Sequence, residues 1–436
     1  MTSSGRLGLA QRRAQAHHRI PSLAATVLRD GQIAWECAVG LAVIESEQPA
    51  SIATQYRIGS ITKTFTAAAV MRLRDEGRLS LEDAVGEHVP GVPGAAVTLR
   101  RLLSHMSGLQ REPVGRIWET YVFPEAAELL TQSSSAEQVL PPGLAFHYSN
   151  LAYSILGEVI ARRARRPYRE HIDQIFLGPL GLSNTTWQPR APIATGYFVH
   201  PHTDRPHAMV GVDIAGSAPA GQLWSTTGDL ARWGAFLMTP EPAILSPESA
   251  EEMRSVQAMV DPDTWQAGYG LGLALLRRGD RVFSGHEGGM PGFVAGLVFS
   301  PKEKVAAAIL ANIEGGAFNP ARLAIELAST AIDVWPVAPV LWRPSGPVPP
   351  SVEPVLGSWW SEGTEFVFRY RAGHLEAIVP AWPQAQPAVF EPAGVDRYRT
   401  TRGRERGEWL EVVRNDSGAV IKIYWATYPF TRHPSA

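Results

Sequence analysis

Lysine is scarce in this 436-residue sequence: Lys63, Lys302, Lys304 and Lys422 are the only four among 40 basic residues, and the rest are arginine. A GC-rich coding background produces such a skew. Each lysine is informative against it, because an amine can lose its proton inside a protein and a guanidinium effectively cannot. Lys63 is the only lysine in the first 300 residues. Cysteine is scarcer still. Cys37 stands alone, so there is no intrachain disulfide and nothing that calls for an oxidising compartment. Its neighbours Gln32 to Val39 read as a strand, with Cys37 as a small buried residue rather than a thiol nucleophile. No apolar run of about 18 residues occurs, so no spanning helix is expected. Met1 to Ile20 has no apolar leader core. It carries Arg6, Arg12, Arg13 and Arg19 and reads as a short amphipathic helix, and the expected location is the cytoplasm. The net charge of −2, without a basic stripe or an acidic tail, argues against a nucleic-acid partner.

Apolar residues make up 45% and charged residues 19%, enough for a sizeable core, and the length suggests two domains. Ala24 to Leu28, an Asp30-Gly31 turn and Ile33 to Val43 read as a hairpin. Ser60 to Glu76 reads as a helix closed by Gly77, and its apolar stretch from Phe65 to Met71 implies burial nearly all round. Leu151 to Ala164 and Thr227 to Leu237 are the clearest later helices. Strands are expected at Gly268 to Leu276, Phe293 to Ser300 and Val305 to Leu310, then a helix at Ala321 to Val334. Strands near both ends with helices between suggest one sheet fed from both halves of the chain. Seven prolines between Trp335 and Pro354 mark a stiff linker. Beyond it, alternating segments at 357–360, 366–370, 374–379, 388–391, 409–413 and 421–428 read as a small antiparallel sheet or barrel. The expected domains are 1–335, a linker at 336–354, and 355–436.

Three segments carry chemistry. In Gly59-Ser60-Ile61-Thr62-Lys63, positions i and i+3 of a helix share a face, so the Ser60 hydroxyl and the Lys63 amine can meet. A serine hydroxyl needs a base to become a nucleophile, and a desolvated neutral lysine is one. A helix N-terminus also favours a developing oxyanion. In Tyr148-Ser149-Asn150, the phenol can relay a proton to a leaving group if nearby cations lower its pKa, and Asn150 can hold a substrate amide. In Ser284-Gly285-His286-Glu287-Gly288-Gly289, His286 lies on or beside a strand edge among glycines that admit a substrate backbone. No Gly-x-Ser-x-Gly elbow and no phosphate-binding Gly-x-x-x-x-Gly-Lys loop occurs. His200, His202 and His207 fall in a Pro-containing loop that reads as solvated rather than metal-binding. Gly268 to Gly272 reads as strand rather than nucleotide loop, and Trp359-Trp360 reads as barrel core.

Ser60-x-x-Lys63, Tyr148-x-Asn150 and His286-x-Gly288, in that order, resemble the three signatures of the serine β-lactamase and penicillin-binding-protein superfamily, in its class C, esterase and D-aminopeptidase-like branch. Leu102 to Leu109, Pro219 to Thr226 and Leu310-Ala311-Asn312 look familial as well. The resemblance covers about residues 20 to 335. It implies an α+β fold, with an antiparallel sheet flanked by helices and an inserted helical region. It implies acylation of Ser60, acid–base work shared by Lys63 and Tyr148, His286 as a further catalytic residue, and substrate contacts from Asn150, Gly288 and Gly289. The backbone N–H groups of Ser60 and Gly289 would form the oxyanion hole. No cofactor and no metal are implied. His286 departs from the Lys-Thr-Gly lettering of lactamases, so a fixed cation for a β-lactam carboxylate is missing. The C-terminal segment resembles the lipocalin-like barrel fused to some D-aminopeptidases and to penicillin-binding-protein-type thioesterases, which release and cyclise nonribosomal peptides. The leading expectation is therefore a thioesterase, peptide cyclase or D-stereospecific peptidase. Its substrate would be a small peptide or peptidyl thioester, with a carrier protein as a candidate for presenting it. An esterase or weak β-lactamase, and a non-catalytic acyl-binding sensor, are the alternatives.

Overall fold

The computed structural model describes residues 2–314, 316–338, 341–344 and 346–434. The Asp30-Gly31 turn joins strands Ser22–Arg29 and Gln32–Val43, with Gly31 at φ +79°. The second of these strands leaves Cys37 half-buried rather than sealed in the core. The first pairs along its other edge with Val305–Ala311, in antiparallel register from Leu23↔Ala311 to Arg29↔Val305. That pairing joins the chain's beginning to its later half and produces a nine-stranded antiparallel sheet.

Asn312, fully buried, secures the junction. Its Oδ1 accepts from Ser22 N at 2.6 Å, and its Nδ2 donates to Leu41 O, Ala42 O and Thr195 O at 3.0–3.2 Å. A buried amide with all these partners satisfied fixes three chain segments at one point.

Helices cover both sheet faces. Ser3–His17 and Pro320–Val334 pack on one face through Leu7, Leu323, Leu327 and Ala328. On the other lie Thr227–Met238 and, beyond it, the inserted helical region. Helix Thr62–Asp75 runs through that region with Thr62 to Met71 all buried, as its apolar sequence requires. Phe65 stacks on Trp233 at 3.9 Å, and the Trp233 indole donates to Thr64 Oγ1 at 2.7 Å.

One local expectation changes. Gly268 to Leu276 is two short strands, Ala267–Tyr269 and Ala274–Arg278, broken by a turn in which Gly272 takes φ +74°. A Cβ on Gly272 would lie 2.3 Å from Ala67 Cβ, so the turn is where the sheet touches the buried helix. The histidine–glycine segment lies on a strand, as read from the sequence. It belongs to the ten-residue strand Arg281–Met290, inside the sheet.

The contacts divide the chain between Val337 and Ala338 into two compact units. Residues 339–340 and 345 of the Pro-rich linker lie outside the described residues. The second unit is an eight-stranded antiparallel sheet from Gly357–Ser361 to Tyr428–Phe430. Its ends meet where Trp360 and Thr431 exchange backbone hydrogen bonds at 2.8 and 3.0 Å, making a nearly closed barrel. Strand Arg397–Arg402 was missing from the sequence reading, and 421–428 divides into Val420–Trp425 and Tyr428–Phe430. Trp359 is wholly buried in the barrel core. The third barrel strand, His374–Ile378, and its neighbours match the alternation seen in sequence.

Candidate active site

Ser60 occupies a one-turn 3-10 helix, Gly59–Ile61, that leads into helix Thr62–Asp75. The i to i+3 spacing puts Lys63 Nζ 3.0 Å from Ser60 Oγ, and Nζ also donates to Ala220 O at 2.7 Å. Lys63 has no exposed surface, and burial pushes its amine well below the usual lysine range. The negative charge of Glu112 partly opposes that shift and Arg111 reinforces it. A neutral amine beside a serine hydroxyl is a competent proton acceptor.

Strand Arg281–Met290 forms the opposite wall. Its pairing with Ala274–Arg278 stops at Ala274↔Gly285, so from His286 onward that edge is released and meets the Ile58–Ser60 backbone. The approach is close enough to demand glycine. A Cβ on Gly288 would lie 1.9 Å from Ile58 O, and one on Gly59 would lie 2.7 Å from Gly289 N. The same contact sets Gly288 and Gly289 directly against the Ile58 to Ser60 turn.

Tyr148 and Asn150 come from the start of helix Asn150–Ala164, which Ser149 caps by accepting from Ala152 N at 3.0 Å. The Lys63 amine lies 4.9 Å from the Tyr148 ring centre, and the Arg111 guanidinium lies 4.9 Å from it as well. The sequence reading required cations to pull the phenol down. The direction is the reverse: burial pushes the Tyr148 pKa up, against smaller lowering effects from its hydrogen bond with Ser60 and from Arg111. Burial outweighs the nearby guanidinium, and the same dry surroundings hold the Lys63 amine towards neutrality. A protonated phenol can donate a proton or a hydrogen bond; it is not a resting phenolate base.

His286 is buried. Its Nδ1 faces Glu287 O at 2.5 Å and its Nε2 faces the Tyr269 hydroxyl at 2.9 Å. A carbonyl only accepts, so Nδ1 carries the proton and Nε2 accepts from Tyr269. Burial first, and Lys63 second, push the His286 pKa down to about 3, so the ring is neutral at ordinary pH. Its hydrogen bonds go to Tyr269 and to its own strand rather than to Ser60 or Lys63.

Four residues emerge that sequence reasoning did not single out. His105 lies at the centre of a ring cluster, 4.2 Å from Tyr148, 5.1 Å from Tyr153 and 4.9 Å from Tyr269. Its Nδ1 accepts from Ser149 N at 3.1 Å. Tyr269 joins that cluster to His286. Glu112 accepts from Asn150 Nδ2 at 2.7 Å, and Arg111 covers Tyr148. His105 stood within a stretch that already looked familial and Tyr269 within the Gly268 to Gly272 segment read as strand; nothing marked Arg111 or Glu112.

Ser60, Arg111, Glu112, Tyr148, Asn150, Tyr269 and His286 line a cleft of about 890 Å³, with Trp118, Phe146 and Phe318 as its apolar walls. Among the described residues, no cluster of His, Cys, Asp or Glu is arranged to hold a metal, and His200 and His202 remain loop residues. No helix among the described residues is long and apolar enough to cross a membrane.

Comparison with known proteins places this geometry. Protein flp of Staphylococcus aureus (strain MW2) is 25% identical over 315 residues, covering 67% of this chain and 60% of that protein. The chain thus spans about 60% of the length of these curated relatives. A D-stereospecific amidohydrolase from Streptomyces superposes with a TM-score of 0.65 at 25% identity, covering 74% of this chain and 98% of that one. SurE superposes with a TM-score of 0.62 at 23% identity over 99% of both chains, a likeness of fold. Residues 348–432 match a domain of unknown function, DUF7586. Residues 10–332 match the Beta-lactamase family model, and the chain therefore belongs to the beta-lactamase family, the serine-hydrolase and penicillin-binding-protein-like superfamily whose fold it has.

Proposed function

We propose that the chain is a serine acyl-transfer enzyme working through an acyl-Ser60 intermediate, with a peptidyl ester, thioester or amide ending in a D-residue as acyl donor. The observation that carries this reading is the buried Lys63 amine, 3.0 Å from Ser60 Oγ and held towards its neutral form.

In this reading Lys63 Nζ takes the Ser60 proton as Oγ attacks the donor carbonyl. The N–H groups of Ser60 and Gly289 receive the developing oxyanion. Tyr148, protonated and beside Ser60, passes a proton to the departing sulfur, oxygen or nitrogen, and Lys63 restores it. The Oγ–C bond has then formed and the bond to the leaving group has broken. Water or the amine of the bound peptide attacks the acyl-enzyme by the same steps in reverse. Asn150, oriented by Glu112, holds the acyl-side amide, while Gly288 admits the donor backbone along the released strand edge. His286 acts as a positioning residue: it fixes Tyr269, which packs with His105 beneath Tyr148.

Two further observations support the donor class. The strand edge beside Ser60 presents a neutral imidazole and the Glu287 carboxylate, a poor anchor for the carboxylate of a β-lactam. The Streptomyces relative is described as D-stereospecific, and SurE has been solved with D-Leu.

The test is incubation with a small peptidyl thioester ending in a D-residue, read by intact mass and product analysis. The expected result is a transient acyl adduct on Ser60, absent in Ser60→Ala, with product formed faster than from the L-terminated isomer. Neither adduct nor product would overturn the reading.

A further inference from the structure

The amino-terminal helix Ser3–His17 contains no acidic residue. Arg6, Leu9, Ala10, Arg13, Ala14 and His17 recur at three- and four-residue intervals and fall on one face of it. That face lines a groove of about 930 Å³ whose other side is formed by Phe318, Asn319, Arg322, Leu323 and Glu326 at the start of helix Pro320–Val334. The floor is apolar, from Leu9, Ala10, Ala14 and Leu323. The rim is cationic, from Arg6, Arg13 and Arg322, and Glu326 is its one carboxylate; at one end burial and the neighbouring His17 hold the His18 imidazole below its usual range. Arg6, Arg13 and Arg322 are exposed, and among the described residues no ion pair involves them. The linear sequence shows no basic block, because the fold builds this one from helices about 300 residues apart.

The groove is not isolated. Phe318, Asn319 and Arg322 line both it and the cleft that holds Ser60. Whatever rests in the groove therefore abuts the mouth of the site. An apolar floor with an unpaired basic rim fits an amphipathic acidic helix, whose apolar stripe lies along the floor and whose carboxylates meet the arginines. A lipid surface fits less well. The groove's apolar side chains lie in a concave floor between two helices, with Leu7 already in the core, rather than on a protruding face that could insert.

We propose that this groove docks an acidic carrier domain, which delivers the acyl group into the adjoining cleft on a flexible thioester arm. The proposal rests on the acyl-transfer reading above and adds the partner's chemistry and its place on the surface.

The test compares one D-terminated peptidyl group in two forms: a small soluble thioester, and the same group on the phosphopantetheine arm of an acidic peptidyl carrier domain. The full-length chain is used, as wild type, Arg6→Glu/Arg13→Glu and Arg6→Gln/Arg13→Gln. For the carrier-borne donor, kcat/KM falls at least 10-fold in the Glu variant and less in the Gln variant, and wild-type activity drops steeply as salt rises. With the small thioester all three proteins agree within about 2-fold, since neither arginine lines the cleft. Fluorescence anisotropy of the labelled carrier shows binding weakened in the same order. Equal handling of the carrier-borne donor by all three proteins would overturn the proposal. So would an equal loss with both donors, or strong binding of wild type to anionic phosphatidylserine vesicles that the Glu variant lacks. Absence of any Ser60 adduct from the small thioester would instead sink the acyl-transfer reading, and so separates the two failures.

Discussion

Asn150 Nδ2 donates to Glu112 Oε1 across 2.7 Å, so the amide expected to meet substrate is aimed by a carboxylate from a different loop. The same carboxylate raises the Lys63 pKa against the pull of burial. In the proposed mechanism one side chain thus orients the amide meant for substrate and tunes the base. Glu112→Ala should lower kcat/KM about 10-fold, the scale of one lost hydrogen bond to a charged group. Glu112→Gln keeps an acceptor for Asn150 but removes the charge. It should retain more activity, with the acid limb of its pH–rate profile moved to lower pH because Lys63 loses a stabilising anion. An unmoved acid limb would contradict the electrostatic part of this account.

Lys63→Met and Lys63→Arg separate basicity from packing. Both should lower acylation about 10²–10⁴-fold, because methionine has no base and a guanidinium cannot give up its proton. Lys63→Met should nevertheless fold as well as wild type or better by about 1 kcal/mol, since it relieves a buried amine. The sign follows from linkage. A depressed folded-state pKa means that below about pH 10.5 the unfolded chain holds a proton that the native chain lacks, so native stability rises with pH through that window. Denaturant melts at pH 6 and pH 9 should show a smaller pH dependence in Lys63→Met.

His286 makes a similar prediction at acid pH. Its pKa falls from 6.5 to about 3 on folding, so between those values the unfolded state binds the extra proton. Stability is fully present above pH 6.5 and declines as pH drops, with a slope approaching about 1.4 kcal/mol per pH unit for one proton. His105 and His171 are also depressed, to below its range and to about 4, and they add to the slope. His286→Asn should make the decline shallower by up to one proton, read from denaturation midpoints at pH 7, 5 and 4. An identical slope would show that the imidazole is not neutral in the fold.

Gly288→Ala tests the contact between the released strand edge and the serine turn. Its Cβ would lie 1.9 Å from Ile58 O, a backbone atom that can move only by displacing Ser60. Acylation should fall at least about 100-fold, with about 2–4 kcal/mol of stability lost. Gly289→Ala meets nothing within 4 Å, so it should fold normally, and circular dichroism with thermal melts distinguishes the two.

Much of this architecture was legible in the chain, and the exceptions share a cause. The hairpin around Asp30-Gly31, the helix from Ser60 and the meeting of Ser60 with Lys63 depend on local period and turn chemistry, which sequence records directly. The break at Gly270 to Leu273 was invisible because it exists to fit Ala67, a contact across some 200 residues. Glu112 and Arg111 look like ordinary surface charges until the fold brings them to Asn150 and Tyr148. The direction of the Tyr148 shift was misread for a related reason. Residue types reveal which charges exist, whereas burial decides which of them remain charged.

The Asn312 clasp and the Leu23↔Ala311 register have a consequence for the life of the molecule. A chain emerging from the ribosome has Ser60 and Lys63 early, but the strand carrying His286 to Gly289 and the strand that seats Ser22 to Arg29 arrive more than 200 residues later. Contacts of such long sequence separation form late. Until then Ser60 has no glycine wall and Lys63 no dry setting for its amine. The pieces of the candidate site thus come together only after both of these later strands have been made.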